Sequence, residues 1–332
     1  MTSFFQPAAC KRGYHRSMDE IPIRLAHSPD SDDLVMWWPL VGLDGTTPEI
    51  DIGPFRFDLV ARDVEELNRQ VMAEQSDGLP RAHGYDVTAI SCAAYPAVKD
   101  RYVITRCGGS FGEGYGPRVV ARPHAVGEDA CRAGPSVERL RGTRIAVPGV
   151  NTSAFLALSL LLGATGGESA FEPVEMLFSE IPGAVARGEV DAGLLIHEAQ
   201  LTFVALGLEE VVNLGQWWAT QTDLPLPLGL NVVRRDLDER FGPGTVAELG
   251  EVLSRSVRFA VDHPAKSREH LQRHKGGRTE WDDPQLVDRY LAMYVSALTL
   301  DMGDRGVRAI EHLLGRGYEA GLCSRPGRIE VV

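Results

Sequence analysis

No two of the five cysteines, Cys10, Cys92, Cys107, Cys131 and Cys323, form a CxxC pair. Neither a zinc knuckle nor a redox dithiol is encoded, and an odd, scattered set of thiols suits a reducing compartment. Basic charge is also scarce: 34 Lys and Arg face 46 Asp and Glu, a formal net charge of −12. A nucleic acid or an anionic membrane would need a basic face, which this balance disfavours. A small anionic ligand in a locally positive pocket stays compatible with it. No apolar run is long enough to cross a bilayer. A Walker lysine, a GxSxG elbow and a GxGxxG leading from strand into helix are all missing. His197-Glu198 is no zinc-protease motif, because Leu201 stands where HExxH needs its second histidine. Internal repeats and low-complexity tracts are absent as well.

What is present is an ordinary globular composition. The chain has 332 residues with 44% hydrophobic, enough for about two domains. Pro7-Ala8-Ala9-Cys10 faintly resembles the end of a lipoprotein signal, but no basic n-region and no apolar h-region precede it. Residues 1–19 therefore read as a disordered extension, with Met18 an alternative start, and the protein reads as cytoplasmic.

The order of elements is that of an α/β chain. An alternating strand, Ile21 to Ala26, leads into the polar turn His27-Ser28-Pro29-Asp30-Ser31-Asp32-Asp33 and an apolar helix, Leu34 to Leu40. Strands are expected at Phe55–Val60, Tyr85–Cys92, Tyr102–Arg106 and Arg118–Arg122. Asp63 caps a helix over Val64–Glu74. The glycine-rich stretch Gly108 to Pro117 lies on no strand-to-helix turn and reads as a lid or hinge, not as a phosphate cradle. A second α/β unit begins at Arg144–Gly149, with a helix at Phe155–Leu162, a strand at Val174–Phe178 and a helix at Ile181–Arg187. Trp217 to Gly229 is aromatic and proline-rich, and Leu230–Arg234 a return strand. The rest is helical: Thr245–Asp262, Pro264–Lys275, Pro284–Leu298 and Asp304–Leu314. Crossings near Arg118 and Leu230 predict one lobe from residues 20–118 plus 232–332, a second from 119–231, and a ligand cleft between them.

His197 is the leading candidate for chemistry. The short apolar strand through Gly193-Leu194-Leu195-Ile196 delivers an imidazole at its carboxyl end, where α/β sheets open onto ligand crevices. A histidine that merely ends the strand on a carbonyl is the competing reading. The turn Asn151-Thr152-Ser153-Ala154 sets small polar side chains and unpaired amides at a helix N-terminus, a place that attracts carboxylate or phosphate. Ser91 at a strand end and Asn68 on the preceding helix can aim at the same cleft. The loop Asp30-Ser31-Asp32-Asp33 lacks the ladder and closing glutamate of a calcium loop, so turn and cap chemistry is favoured over a metal. His263, His270 and His274 read as a solvated helical face rather than as metal ligands.

Several blocks occur together in one order: Ser91-Cys92-Ala93-Ala94-Tyr95, Gly108 through Pro117, Ile145-Ala146-Val147-Pro148-Gly149 with Thr152-Ser153-Ala154, and Gly188 through Glu198. Leu214-Gly215-Gln216-Trp217-Trp218 and Leu224 through Gly229 follow. From about Ile21 almost to the C-terminus the chain resembles the 1,4-dihydroxy-6-naphthoate synthase family of the futalosine route to menaquinone. The resemblance implies a two-lobed, periplasmic-binding-protein-like α/β fold and a cytoplasmic enzyme. Its implied reaction is cleavage of cyclic dehypoxanthine futalosine, a small-molecule substrate, to the naphthoate, with no metal or organic cofactor. It further implies His197 as catalytic base, and Asn68, Ser91, Thr152, Ser153 and Ala154 as substrate contacts. Glu198 is a candidate to orient the ring. One departure stands out: the family's first loop is usually Ser-Pro-Cys-Pro-Asn-Asp-Thr, whereas here Ser28-Pro29-Asp30-Ser31-Asp32-Asp33-Leu34 occupies it. Added negative charge beside a cleft for a carboxylated substrate should repel it, which leaves an altered specificity or a non-catalytic carboxylate-binding protein as the alternative.

Overall fold

Alternation along β1 (Ile21–His27) decides where the first sheet lies. Ile23 and Leu25 point to one face and are wholly buried among Trp37, Leu40, Phe55, Val252 and Val257. Ala26 points to the other, against Leu67 and Ala89. A strand covered on both faces needs helices above and below it, and the chain supplies them. In this computed structural model the described residues are 20–73, 84–123, 137–166, 168–275 and 278–332; the expected extension, residues 1–19, lies outside them.

β1 pairs in parallel with β2 (Phe55–Ala61) and β3 (Val87–Ser91). β4 (Tyr102–Ile104) and β5 (Ser110–Gly112) attach to the same sheet through the long C-terminal β11 (Leu226–Arg234), which runs antiparallel to β3, β4 and β5. A second sheet holds β6 (Arg118–Ala121), β7 (Arg144–Val147), β8 (Glu172–Glu175), β9 (Ala192–Leu195) and β10 (Glu209–Asn213), in the order β10-β6-β9-β7-β8. Two α/β lobes result, one around each sheet. Among the described residues no helix is long and apolar enough to cross a membrane.

Several elements differ from the sequence expectation, each for a local reason. The return strand starts at Leu226, within the proline-rich stretch, so the expected second junction at Val232 falls inside it. Pro227 pairs with Phe111 of β5, and the register slips between Pro227 and Gly229; proline is tolerated in strands at such irregularities. The aromatic segment before it is the helix Leu214–Thr222, capped by Asn213, whose side chain accepts from the amides of Gly215 and Gln216. The glycine-rich stretch is no free lid. Phe111 of β5 is buried, and Gly215 packs so closely on Tyr115 that a Cβ there would fall 1.8 Å from its carbonyl oxygen. The helix Pro284–Tyr294 stops before Ser296, whose side chain caps a separate short helix, Ala297–Leu300.

The helical tail covers the first sheet. Leu249, Val252, Leu253 and Val257 of Thr245–Asp262 complete the core under β1. The last helix, Gly303–Glu319, reaches β11 and also the second lobe, where Gly317 lets it approach Leu156. His270, expected on a solvated face, is buried; its ring lies 6.1 Å from that of Trp38, and burial holds its pKa down at about 4.

β9 is held at one height by Gly193. A Cβ there would meet Ile181 and Val185 of the helix Ile181–Arg187 at 2.6 Å each. Gly193→Ala is therefore expected to push β9 off that helix and cost about 1–3 kcal/mol, read as a lower urea midpoint with an unchanged slope.

Candidate active site

His197 stands two residues beyond β9, at its carboxyl end, with φ +52. Left-handed backbone is uncommon for a residue with a side chain and has to be held in place by its surroundings. Contacts to the ring help to hold it. Nδ1 lies 2.7 Å from Asp30 Oδ2, and the ring sits edge-on to Phe178 with centroids 4.7 Å apart. Asp30 belongs to the other lobe. It is the N-cap of the helix Ser31–Trp37, accepting from the Asp33 amide, and it also accepts from Ser28 Oγ at 2.9 Å. The acidic loop thus does cap a helix, as expected, but the same carboxylate also engages the histidine.

The loop's other acids are placed separately. Asp32 accepts from Tyr290 Oη at 3.2 Å, and that hydroxyl lies 3.4 Å from His197 Nδ1. Asp33 accepts from the Ser28 amide at 2.6 Å. Glu198 does not orient the imidazole. Its Oε1 accepts from Ser31 Oγ at 2.7 Å and from Trp281 Nε1 at 3.0 Å, two donors of the first lobe. Asp30 is the residue that orients the ring.

Crowding the acids of this loop beside one imidazole separates the affinities of Asp30 and Asp32 for protons. Burial alone would lower the His197 pKa, but the Asp30 carboxylate outweighs it and the net direction is up. Burial would raise Asp30; its pairing with His197 and its hydrogen bonds pull it far below the usual carboxylate range. Asp32 goes the opposite way, pushed well up by burial and then by the charges of Asp30 and Asp33. Asp30 thus holds its charge more firmly than a free carboxylate and Asp32 less firmly, which lessens the repulsion expected from this loop.

Asp30, Asp32, Asp33 and His197 line a cavity of about 90 Å³ between the lobes. Ser91, Thr152, Ser153, Ala154 and His197 are all in its wall; Asn68 is not. Asn68 is fully buried on the inner side of the helix Val64–Ala73, where its Oδ1 accepts from the Ser91 amide at 2.8 Å and its Nδ2 donates to Ser91 Oγ at 3.0 Å. It positions Ser91. The hydroxyls of the helix N-terminus are also engaged. Thr152 Oγ1 accepts from the Phe155 amide, and Ser153 Oγ donates to the Leu228 carbonyl at 2.6 Å while accepting from the Ala93 amide at 3.1 Å. What that turn offers a ligand is its backbone amides and the positive end of the helix Ser153–Leu161. None of the described lining residues is a lysine or arginine.

Asp30, Asp32 and His197 place one ligand atom each within 4.8 Å of one another, a donor set able to take a divalent cation. Nδ1 and Asp30 are already paired with each other, so a cation there would have to replace that contact. Away from this centre, Asn151 Nδ2 donates to Glu65 Oε1 at 2.6 Å and Arg69 pairs with Glu65 and Glu175, tying the two lobes on the far side of the cleft.

Sequence reasoning did not find Tyr290, Gln200 or Asn231, which also line the cavity. Each sits inside a regular helix or strand with no local signal to distinguish it.

Residues 23–319 match the family model described as menaquinone biosynthesis. The chain belongs to that family. A 1,4-dihydroxy-6-naphthoate synthase of Thermus thermophilus is 38% identical to it over 302 residues, spanning 91% of this chain and 96% of the relative. A solved structure from Archaeoglobus fulgidus, 36% identical, superposes with a TM-score of 0.74 and covers 93% of this chain and all of that one. The alkanesulfonate-binding protein SsuA of Xanthomonas axonopodis pv. citri gives 0.61 at 15% identity, covering 93% and 96% of the two chains, and so shares the fold. Family membership and this likeness establish a two-lobed, periplasmic-binding-protein-like architecture.

The ion pair makes a measurable difference to the imidazole. Followed by NMR of the ring protons, His197 is expected to titrate above the ordinary value near 6.5. In Asp30→Asn the strongest opponent of burial is gone and only the weaker pull of the Glu198 and Asp63 charges remains, so the titration should fall. Since the folded His197 pKa is raised, its contribution to stability is full below about 6.5 and fades as pH rises through the raised value. Asp30, being lowered, contributes above about 3.9 and loses its contribution as pH falls further.

Proposed function

We propose that this chain is a 1,4-dihydroxy-6-naphthoate synthase, a carbon–carbon lyase of the cytoplasm acting on cyclic dehypoxanthine futalosine. The observation that supports the reading most is the Asp30–His197 pair, buried in the interlobe cavity of a chain from the menaquinone biosynthesis family. A passive binding protein has no need of a base that burial alone would silence and a carboxylate restores.

With Nδ1 turned to Asp30, proton transfer to and from substrate falls to Nε2 of His197. The carboxylate fixes the tautomer and stabilises the imidazolium that forms, the same division of labour as in a base oriented by a third group. His197 takes the proton of a substrate hydroxyl. The alkoxide becomes a carbonyl as the adjacent carbon–carbon bond breaks, and the bond's electron pair leaves on the departing carbon. That carbon then takes a proton, which the imidazolium can return. The carboxylate of the substrate is held by the amides of Ser153 and Ala154 at their helix end, with Ser91 on the polar rim. Ligand pockets usually measure roughly 300–1,000 Å³, so a cavity of about 90 Å³ describes closed lobes that must part to admit substrate.

Incubation with cyclic dehypoxanthine futalosine should yield the naphthoate by mass spectrometry. His197→Ala should lower kcat by about 10²–10⁴-fold in a folded protein, and Asp30→Asn by about 10–10³-fold with KM less affected. Wild-type kcat in His197→Ala, or no naphthoate from the native enzyme, would refute the assignment.

A further inference from the structure

Asn231, on β11, is 2% exposed and stands in the cavity wall. Its amide is fixed in one orientation, because Nδ2 donates to the Gly108 carbonyl at 2.8 Å. Turning the amide over would set two oxygens against each other at that distance. Gly108 makes the contact possible. Its φ is +77, and a Cβ there would lie 2.8 Å from Nδ2 and 3.1 Å from the Trp37 ring. The backbone is equally committed, since the Asn231 carbonyl accepts from the Thr105 amide at 2.9 Å and from Thr105 Oγ1 at 3.0 Å. The amide oxygen is different: Oδ1 is buried and accepts no hydrogen bond. An acceptor left so typically costs about 1–3 kcal/mol, a cost that a donor on a bound molecule would recover.

We propose that Asn231 Oδ1 accepts a hydrogen bond from a hydroxyl group of the bound molecule, and so fixes which end of that molecule lies against β11. A neutral amide oxygen suits an alcohol or phenol and repels a carboxylate, which is itself only an acceptor. Ala89 and Leu230 beside it give the apolar flank that a ring edge needs. Three residues back along β11, Leu228 takes the hydroxyl of Ser153 at the helix end assigned to the carboxylate. At roughly 3.3 Å per residue the two points are about 10 Å apart along the strand, a separation that suits a two-ring skeleton with a carboxylate at one end and hydroxyls at the other. The inference rests on the proposed function and adds the orientation of the ligand within that site.

The test compares 1,4-dihydroxy-6-naphthoate with 2-naphthoate, which keeps the rings and carboxylate and lacks both hydroxyls. Calorimetry measures both on the wild type, Asn231→Leu and Asn231→Ala, with circular dichroism checking the fold. The wild type is expected to prefer the dihydroxy compound, and the variants to lose about tenfold of that preference while binding 2-naphthoate at least as well. A purely structural asparagine would lower stability and leave the preference intact, which would overturn the inference without touching the function. Wild-type protein that neither binds nor forms the dihydroxy compound would overturn both. Should both variants fail to fold, the side-chain amide resonances of Asn231 in the wild type decide: they are expected to shift with the dihydroxy compound and not with 2-naphthoate, and equal responses reject the inference.

Discussion

The contact on which the site depends is a single ion pair made across the cleft. His197 comes from the end of a strand in one lobe and Asp30 from the cap of a helix in the other, and they meet at 2.7 Å. Burial works against a charged imidazole, and the Asp30 carboxylate works against burial; the carboxylate wins. In the buried site the imidazole therefore keeps its basicity because both lobes contribute. Asp30 is in turn stabilised by Ser28 and by the helix it caps, while burial and the neighbouring charges push Asp32 towards its protonated form.

The surrounding structure serves to keep that meeting point fixed. Gly193 lets β9 lie tight on the helix Ile181–Arg187, and that closeness sets the height at which the histidine emerges. Phe178 blocks one side of the ring. Glu198, next in the chain, reaches over to Ser31 and Trp281 and anchors the strand end to the opposite lobe. On the far side Glu65 and Arg69 make the matching contacts. The left-handed backbone at His197 is thus enclosed by contacts on both sides of the cleft.

The extent to which this was legible in the sequence follows from the range of the forces involved. The two α/β units, the strand ending at His197 and the helix start at Thr152 are written in short apolar periods and capping residues, which act over a few positions. β11 starts earlier than its sequence suggests because Pro225 and Pro227 signal irregular chain; Pro225 lies just outside the strand, and the register with β5 slips right after Pro227. The hydroxyl of Ser153 and the amide of Asn68 look like ligand groups in isolation, but their partners, Leu228, Ala93 and Ser91, are set by tertiary packing. Asp30 is the plainest case. Its loop reads as a cap, and nothing local shows that a histidine from the other lobe will rest on it.

A base whose partner sits on the opposite lobe has different basicity in the two states of the cleft. With the lobes apart, His197 would lose Asp30 and face water, and its affinity for protons would return toward that of a free imidazole. With the lobes together that affinity is higher. Closing on a ligand near neutral pH therefore draws a fraction of a proton from solution, and apparent ligand affinity acquires a pH slope even for a molecule that does not itself titrate. The enzyme's grip and its protonation are one equilibrium, read from either side.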